Sequence, residues 1–254
     1  MRDPLLALEV IDRLEVGPVR LEANRMVAPY TVHRGGAVET TELTYKYEEP
    51  VFEPGEYGSQ NLAAMIAAQV ALNYGLFCRE ILFRGPYDGD DRRFLVDMAR
   101  NTAREIYVNK LLLPNPFLVG AARGLPSTKL PDYLRATLRF DPSSAPEPRP
   151  VSWETRAGEH AVLSSGGKDS LLTYGLLEEL GRSTHPIFLN ESGRHWYTAL
   201  NAHRWFRGNV PTTARVWTSS DRLFSWMLRR LPFVRQDFAS LRSDDYPIRL
   251  WTVA

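Results

Sequence analysis

The sequence predicts an α/β fold in which a doubly wound parallel sheet is preceded by a separate α+β region. Short apolar runs alternate with amphipathic segments from residue 161 to residue 231, which is typical of strands and helices that follow one another. A proline-rich stretch separates this part from an earlier region that mixes strand and helix patterns. The 254 residues are 44% hydrophobic and 24% charged, a composition that suits one or two packed cores.

The earlier region, residues 1–140, begins with strand patterns and continues with helical ones. Apolar and polar side chains alternate over 41–47, which indicates a half-buried strand, and Gly35-Gly36 supplies a turn before it. Residues 60–78 are rich in alanine and carry apolar side chains at helical spacing. A second helix is predicted over 90–108, because two aspartates open a further amphipathic run there.

The boundary between the two regions is predicted at residues 141–152. Six prolines fall between residues 126 and 150, and the run from 141 to 150 has almost no apolar side chains. Proline density of this kind favours a semi-rigid, extended connection over a packed element. The chain is therefore divided into an α+β region at 1–140, a linker, and an α/β region at 153–254.

Three strand and helix pairs are predicted after the linker. The first strand, 161–163, precedes a helix over 169–180 that carries a stripe of leucines and is followed by Gly181 as a stop signal. The other predicted elements are strands at 186–189 and 214–217 and helices at 196–206 and 221–231. Strands that alternate with helices imply right-handed crossovers and a parallel sheet.

A glycine-containing loop, Ser165-Gly166-Gly167-Lys168-Asp169-Ser170, lies between the first strand and the first helix of this region. Ligands bind at such junctions because the carboxyl end of a strand meets the start of a helix there. The two glycines let the backbone approach a ligand, and the N–H groups of the helix start carry partial positive charge. With two hydroxyls and the charge of the lysine, the loop is predicted to bind phosphate.

Two other phosphate-binding patterns do not fit the loop. A Walker A loop needs glycine where Val162 stands, and in this chain Asp169 follows the lysine. The dinucleotide fingerprint also fails, because no glycine occurs between Gly167 and Gly175. An ordinary helix whose first turn is stabilised by serine and aspartate side chains remains as the structural alternative.

The six-residue run after a hydrophobic strand resembles the signature of the PP-loop ATP pyrophosphatases, also called adenine nucleotide alpha hydrolases. The resemblance implies a Rossmann-like fold of the HUP class and chemistry at the α-phosphate of ATP. A substrate oxygen attacks, AMP is transferred and pyrophosphate leaves. Residues 165–170 would hold the pyrophosphate, and Asp169 would help to coordinate Mg²⁺.

Polar residues also follow the second predicted strand, at the same edge of the sheet. Asn190 is expected to contact the nucleotide and Arg194 to bind an anionic substrate, while Glu191, His195 and Lys168 are candidates for proton transfer. A plain helix N-terminus accounts for these residues equally well. Further candidates along this edge are His203 and Thr218-Ser219-Ser220.

The longer pattern HPIFLNESGRHWYTALNAHRWF, residues 185–206, is similar to bacterial epimerases that act on UDP-N-acetylmuramoyl-L-alanyl-L-glutamate in peptidoglycan synthesis. Residues 71–83 and 104–109 fit the leading domain of that family, so residues 1–140 are expected to bind the substrate. The resemblance implies that ATP adenylates the carboxylate of the terminal L-glutamate. Removal and return of the α-proton then give D-glutamate, and hydrolysis releases AMP.

Two other functions stay open: a tRNA-modifying or amide-forming PP-loop enzyme, and a module that binds ATP without turnover. The net charge of +1 gives no reason to expect a nucleic acid, so the expected partners are ATP and a small carboxylate. The single cysteine, Cys78, excludes an internal disulfide and a cysteine zinc cluster.

The location and the extent of the chain are also predicted from pattern. No signal peptide and no run of about 18 apolar residues is recognisable, so a cytoplasmic protein without a membrane span is expected. Only three strands are predicted after the linker, where PP-loop domains have about five, and the chain stops in the apolar run 246–254. This combination predicts that the chain is a fragment.

Overall fold

The computed structural model describes residues 4–113, 115–127, 129–141, 154–191 and 195–235, and within these ranges nine strands form one sheet. The strands are β1 (Ile11–Val16), β2 (Arg20–Glu22), β3 (Arg25–Arg34), β4 (Ala37–Tyr47), β5 (Cys78–Arg84), β6 (Thr137–Asp141), β7 (Glu159–Ser164), β8 (Ser183–Asn190) and β9 (Ala214–Thr218). The helices are α1 (Tyr57–Ala71), α2 (Gly89–Ile106), α3 (Lys168–Glu179), α4 (His195–Asn209) and α5 (Ser220–Leu228). Shorter helical turns cover Pro4–Leu8, Leu72–Tyr74, Tyr107–Leu111 and Gly120–Gly124.

The strand order is β6-β5-β1-β3-β4-β9-β8-β7, and β2 pairs with β3 beside this path. The predicted α/β class is confirmed, and the three strands β7, β8 and β9 are parallel to one another. The sheet as a whole is mixed, because β3 is antiparallel to β1, β2 and β4, and β9 is antiparallel to β4. No described helix is long and apolar enough to cross a membrane.

The pairing of β4 with β9 joins the two predicted regions in one sheet. Tyr45 lies opposite Thr218, and Tyr47 lies opposite Val216. The predicted linker at 141–152 falls outside the described residues except for Asp141, which ends β6. The boundary between the regions therefore stays a prediction, although hydrogen bonds connect the strands on either side of it.

The predicted helix over 60–78 is wrong at its carboxyl end. The helix ends at Ala71, a short 3-10 turn follows, and Cys78 already begins β5. Gly75 follows this turn and lets Leu134 pack against the backbone, since a Cβ on it would stand 2.7 Å from a methyl carbon of Leu134. Helical spacing could not reveal this end, because the residues from 78 onward are needed as a strand between β1 and β6.

The leucine stripe predicted for the helix over 169–180 does not form a buried face. No residue of α3 is buried, and Leu172 and Leu180 are 63% and 71% exposed. Tyr174 makes the inward contact instead, with its ring centroid 4.7 Å from that of Phe206. The helix lies against β7 and β8 at the end of the described sheet, so much of its surface has no neighbouring element to cover it.

Two apolar clusters lie on opposite faces of the sheet. The large core packs α1, α2 and α5 against β1, β3, β4 and β5. The small cluster joins Phe188 of β8 to Ala199 and Phe206 of α4. Because side chains alternate along a strand, Leu163 and Leu189 point away from this small cluster, and they are 76% and 41% exposed. The helices α3 and α4 therefore cover one face of β7 and β8 and leave apolar side chains exposed on the other.

The buried histidine of α4 should make stability depend on pH. His203 packs against the rings of Phe188 and Trp196, and burial, followed by the nearby charge of Arg215, lowers its pKa below the ordinary value of 6.5. As the pH falls below 6.5, the unfolded chain takes up this proton more readily than the folded chain, so stability is lost. Urea unfolding at pH 7 and pH 5 should show a smaller loss for His203→Phe than for the wild type. An equal loss in both proteins would contradict the assignment.

Candidate functional site

The glycine loop lies where the sequence predicted it, between the end of a strand and the start of a helix. β7 ends at Ser164 and α3 begins at Lys168, so the loop stands at the carboxyl edge of the three parallel strands. β8 and β9 end at Asn190 and Thr218 on the same edge. This edge is where α/β sheets bind ligands, because strand ends and helix starts leave polar backbone groups exposed there.

Serine hydroxyls hold the loop in shape. Ser170 Oγ donates to the carbonyl of Gly167 at 3.0 Å and lies 3.1 Å from Ser164 Oγ, which in turn accepts from the N–H of Gly166 at 3.2 Å. Ser164 is buried, whereas Ser165 is exposed. Sequence reasoning missed Ser164, and its only signal was that it is a polar residue at the end of an apolar strand.

The first turn of α3 is not capped by a side chain. Gly167 occupies the N-cap position, and no described side chain accepts a hydrogen bond from the N–H groups of residues 168–170. α2 begins with a complete capping box between Asp88 and Asp91, whereas the N-cap residues of α1 and α5, like that of α3, make no side-chain cap bond. Ser170 stabilises the first turn of α3 through the carbonyl of Gly167, but no described side chain caps its N–H groups. Its first N–H groups are left for water or for a ligand.

The two glycines of the loop are required for different reasons. A Cβ on Gly167 would meet nothing closer than Ser165 Oγ at 3.5 Å, so this position faces open space. Gly166 has φ +74°, and a Cβ on it would stand 2.9 Å from Cα of Ala199 and 3.3 Å from Cβ of Ala202. Gly166 thus lets the loop lie directly on α4, and Gly167 leaves the helix start open to an incoming group.

Lys168 and Asp169, at the end of the loop and the start of α3, are exposed. Neither forms an ion pair with the described residues. Asp169 lies in the first turn of α3. Within the described ranges no cluster of three or more His, Cys, Asp or Glu is arranged to hold a metal. Mg²⁺ that arrives with a nucleotide needs no such cluster, because one carboxylate and the phosphates are enough to hold it. An exposed Asp169 fits that mode of binding.

The residues predicted after the second strand are only partly described. Asn190 ends β8 and Glu191 follows it, both half-buried. Arg194 lies outside the described residues, and of His195 only the backbone is described, as the first residue of α4. Asn190 has the strand parity of Phe188 and so shares the α3 and α4 face, whereas Glu191 has the opposite parity.

Tyr45 is a polar group at this edge that the sequence analysis did not single out. Burial raises the pKa of its phenol, a hydrogen bond with Thr218 lowers it, and the charge of Glu191 raises it again. Tyr45 is therefore protonated at neutral pH and lies within electrostatic reach of Glu191. The alternating pattern of β4 had marked it only as a half-buried strand position, and its neighbours come from a distant part of the chain.

Two further candidates prove to be structural. Thr218, Ser219 and Ser220 are buried, and Ser219 Oγ accepts a hydrogen bond from the N–H of Thr44 at 2.9 Å. These residues join β9 to β4, so the prediction that they form an edge of the pocket is wrong. His203 is wrong as a proton-transfer candidate, since its ring is buried between Phe188 and Trp196.

The described site is thus an open helix start with a lysine, an aspartate and a backbone that can approach a ligand closely. Such a site can bind a phosphate chain through N–H groups and positive charge. No family model, curated protein or solved structure matches the chain. The interpretation of the site therefore rests on these residues and their geometry.

Alanine at position 166 should destabilise the protein. The left-handed backbone and the contact with α4 both act against a side chain there, and together they should cost about 1–3 kcal/mol. Urea unfolding of Gly166→Ala measures this loss. Gly167→Ala is the matched control, because its Cβ meets open space, and it should lose only the cost of alanine at an N-cap, less than about 1 kcal/mol. Equal stabilities for the two variants would contradict the packing of the loop on α4.

Proposed function

We propose that the protein binds ATP at the glycine loop and uses it to adenylate a substrate carboxylate, with release of pyrophosphate. The observation that carries this proposal is the open start of α3, where the N–H groups of residues 168–170 have no side-chain cap and Gly167 leaves room for a phosphate. Lys168 would neutralise part of the charge of the bound phosphates. Asp169 would hold the Mg²⁺ that accompanies ATP, and the metal would stabilise pyrophosphate as a leaving group.

The finer fold assignment belongs to the same proposal. Residues 153–254 would form a PP-loop domain of the Rossmann-like HUP class, with a doubly wound sheet. Support comes from β7, β8 and β9, which lie side by side in chain order and in parallel, with the glycine loop after the first of them. In doubly wound sheets this position collects the phosphates of a nucleotide.

The chemical step is a substitution at the α-phosphorus of ATP. An oxygen of the substrate carboxylate forms a bond to this phosphorus, and the bond from phosphorus to the oxygen that bridges to the β-phosphate breaks. Pyrophosphate departs with that electron pair, and an acyl adenylate remains. The residues of the loop would hold the β- and γ-phosphates in line with the attacking oxygen, which is the positional part of the catalysis.

The substrate we propose is UDP-N-acetylmuramoyl-L-alanyl-L-glutamate, whose terminal L-glutamate would be epimerised. A free carboxylate resists loss of the adjacent proton, because a second negative charge would develop beside the first. Adenylation removes the first charge before the proton leaves. A base takes the α-proton, an acid returns one to the opposite face, and water then cleaves the anhydride to give D-glutamate and AMP.

The proton-transfer groups would come from the edge of the sheet. Glu191 and Tyr45 are the described candidates, because a carboxylate that accepts a proton stands there near a phenol that can donate one. Lys168 is exposed in the glycine loop, and His195 is the first residue of α4. Inversion needs groups on two sides of the α-carbon. Glu191 and Tyr45 share one face of the sheet, so the second group would come from the glycine loop, where Lys168 is exposed.

A second candidate function is binding of ATP without turnover. It is favoured by the burial of Thr218, Ser219 and Ser220, which leaves fewer polar groups at the edge than the sequence predicted. A tRNA-modifying or amide-forming pyrophosphatase is the remaining alternative. These functions differ in their products, so one set of measurements separates them.

Valine at position 167 should abolish ATP binding and leave the fold intact. The backbone there has φ −82°, which valine adopts, but the branched side chain would fill the space into which the phosphates fit. Titration calorimetry should show at least a tenfold loss of ATP affinity, while the thermal unfolding temperature stays unchanged. Wild-type affinity in Gly167→Val would refute binding at the loop.

Turnover should give pyrophosphate, AMP and isotope exchange together. The protein is incubated in D₂O with ATP, Mg²⁺ and UDP-N-acetylmuramoyl-L-alanyl-L-glutamate, and deuterium at the glutamate α-carbon is measured by mass spectrometry. The epimerase proposal requires deuterium uptake that depends on ATP. Pyrophosphate without deuterium would leave adenylation standing and exclude epimerisation. Binding of ATP without pyrophosphate would favour the non-catalytic module.

A further inference from the structure

A cavity of about 610 Å³ lies at the turn between β3 and β4, beside the end of α5. We name it the arginine cavity, after its three arginines Arg34, Arg229 and Arg230, and its other main walls are Glu39 and Trp226. It is far from the glycine loop. Glu39 lies six residues along β4 from Tyr45, which pairs with β9, and that separation alone corresponds to about 20 Å of strand.

Arg230 is held in place at the wall of this cavity. Only 9% of the residue is exposed, its guanidinium carbon lies 3.3 Å from the ring centroid of Trp226, and it forms an ion pair with Glu39. Its Nε is buried without a hydrogen-bond partner among the described residues. Burial, together with the nearby charges of Arg34 and Arg229, acts to lower the pKa of Arg230, while Glu39 acts to raise it. A buried guanidinium is costly unless an anion compensates it, and for Arg230 that anion is Glu39.

The positive charges of the cavity exceed its negative charges. Three arginines and a single carboxylate, that of Glu39, line it. Glu39 pairs with Arg230, whereas Arg34 and Arg229 are exposed and form no ion pair with a described residue. Elsewhere on the sheet, arginines and carboxylates are matched in number. On β1, β5 and β6 four arginines are matched by four carboxylates: Arg13, Arg79, Arg84 and Arg139 with Asp12, Glu15, Glu80 and Asp141. The arginine cavity therefore retains about two positive charges that the described chain does not balance.

The C-terminal end of α5 explains part of this cluster. Arg229 and Arg230 follow the last residue of the helix, where cations interact favourably with the helix dipole. Arg34 comes from β3, and it uses one N–H to donate to the carbonyl of Arg230 at 2.8 Å. This bond uses one N–H of the Arg34 guanidinium, and the charge of that group has no carboxylate partner among the described residues.

We propose that the arginine cavity binds a small molecule that carries a phosphate group. Two unmatched guanidinium groups correspond to the charge of a phosphate monoester, whereas a single carboxylate would leave one of them unmatched. The cavity is much larger than one phosphate, and Gly35 and Ala37 leave it unfilled, so the organic part of the ligand fits as well. Trp226 supplies an aromatic wall for that part.

Phenyl phosphate and benzoate are matched probes for this site, because they share a ring and differ in the anionic group. Both are titrated by calorimetry into Gly167→Val, in which the glycine loop no longer competes for phosphate. We expect phenyl phosphate to bind at one equivalent, at least tenfold more tightly than benzoate. Absence of phenyl phosphate binding, or equal affinity for benzoate, would overturn the proposal.

Two double variants identify the residues that are responsible. Arg34→Ala with Arg229→Ala, added to the Gly167→Val background, should weaken phenyl phosphate at least tenfold. Arg20→Ala with Arg93→Ala removes the same charge from exposed, ion-paired positions and should leave the affinity unchanged. Unfolding temperatures of all variants confirm that they are folded. Equal losses in the two double variants would show an effect of net charge and overturn the assignment.

A phosphate group could also belong to a lipid headgroup, and vesicles separate the two sources. Co-sedimentation with phosphatidylglycerol vesicles should show no binding that depends on Arg34 and Arg229. Vesicle binding lost in that double variant, without binding of phenyl phosphate, would overturn the small-molecule proposal. Every protein tested carries Gly167→Val, and binding is assigned to the cavity by its dependence on Arg34 and Arg229. The test of the arginine cavity can therefore fail or succeed separately from the proposal for the glycine loop.

Discussion

The antiparallel pairing of β4 with β9 is the interaction on which the rest of the architecture depends. It joins the mixed group of strands from β1 to β6 and the parallel strands β7 to β9 into one sheet. Side-chain hydrogen bonds at both ends of the paired segment stabilise this pairing. At one end Ser219 bonds to the backbone of β4, and at the other Glu48 accepts from Arg207 and from the backbone of Arg215. Because β4 continues past the end of β9, it stands beside the open edge at which the glycine loop lies.

The spacing of apolar side chains predicted most strands and helices after the linker, because each kind of element has its own periodicity. It also predicted the position of the loop, since a short apolar run before two glycines leaves few other conformations. The spacing could not predict which elements pack against one another. The leucines of α3 looked like a buried stripe, yet burial depends on whether another element lies against them, and for Leu172 and Leu180 none does within the described ranges.

The same limit applies to the polar residues of the candidate site. Thr218, Ser219 and Ser220 follow a strand and look available, but their partners on β4 lie more than a hundred residues away in the chain. Tyr45 was missed for the converse reason, because its approach to Glu191 exists only after β4 and β9 have paired. Arg230 likewise acquires its environment from the distant Glu39 and Arg34. Contacts of this range leave no periodic signal in a sequence.

The contact of Gly166 with α4 means that the glycine loop is not a self-contained module. The loop has its shape only where a neighbouring helix presents a nearly bare surface, here at Ala199 and Ala202. The same six residues placed between another strand and helix would therefore not adopt the same loop conformation. A protein engineer would have to move α4 as well. A search for related sites becomes more selective if it also requires small residues 33 and 36 positions after the first glycine, as Ala199 and Ala202 are after Gly166.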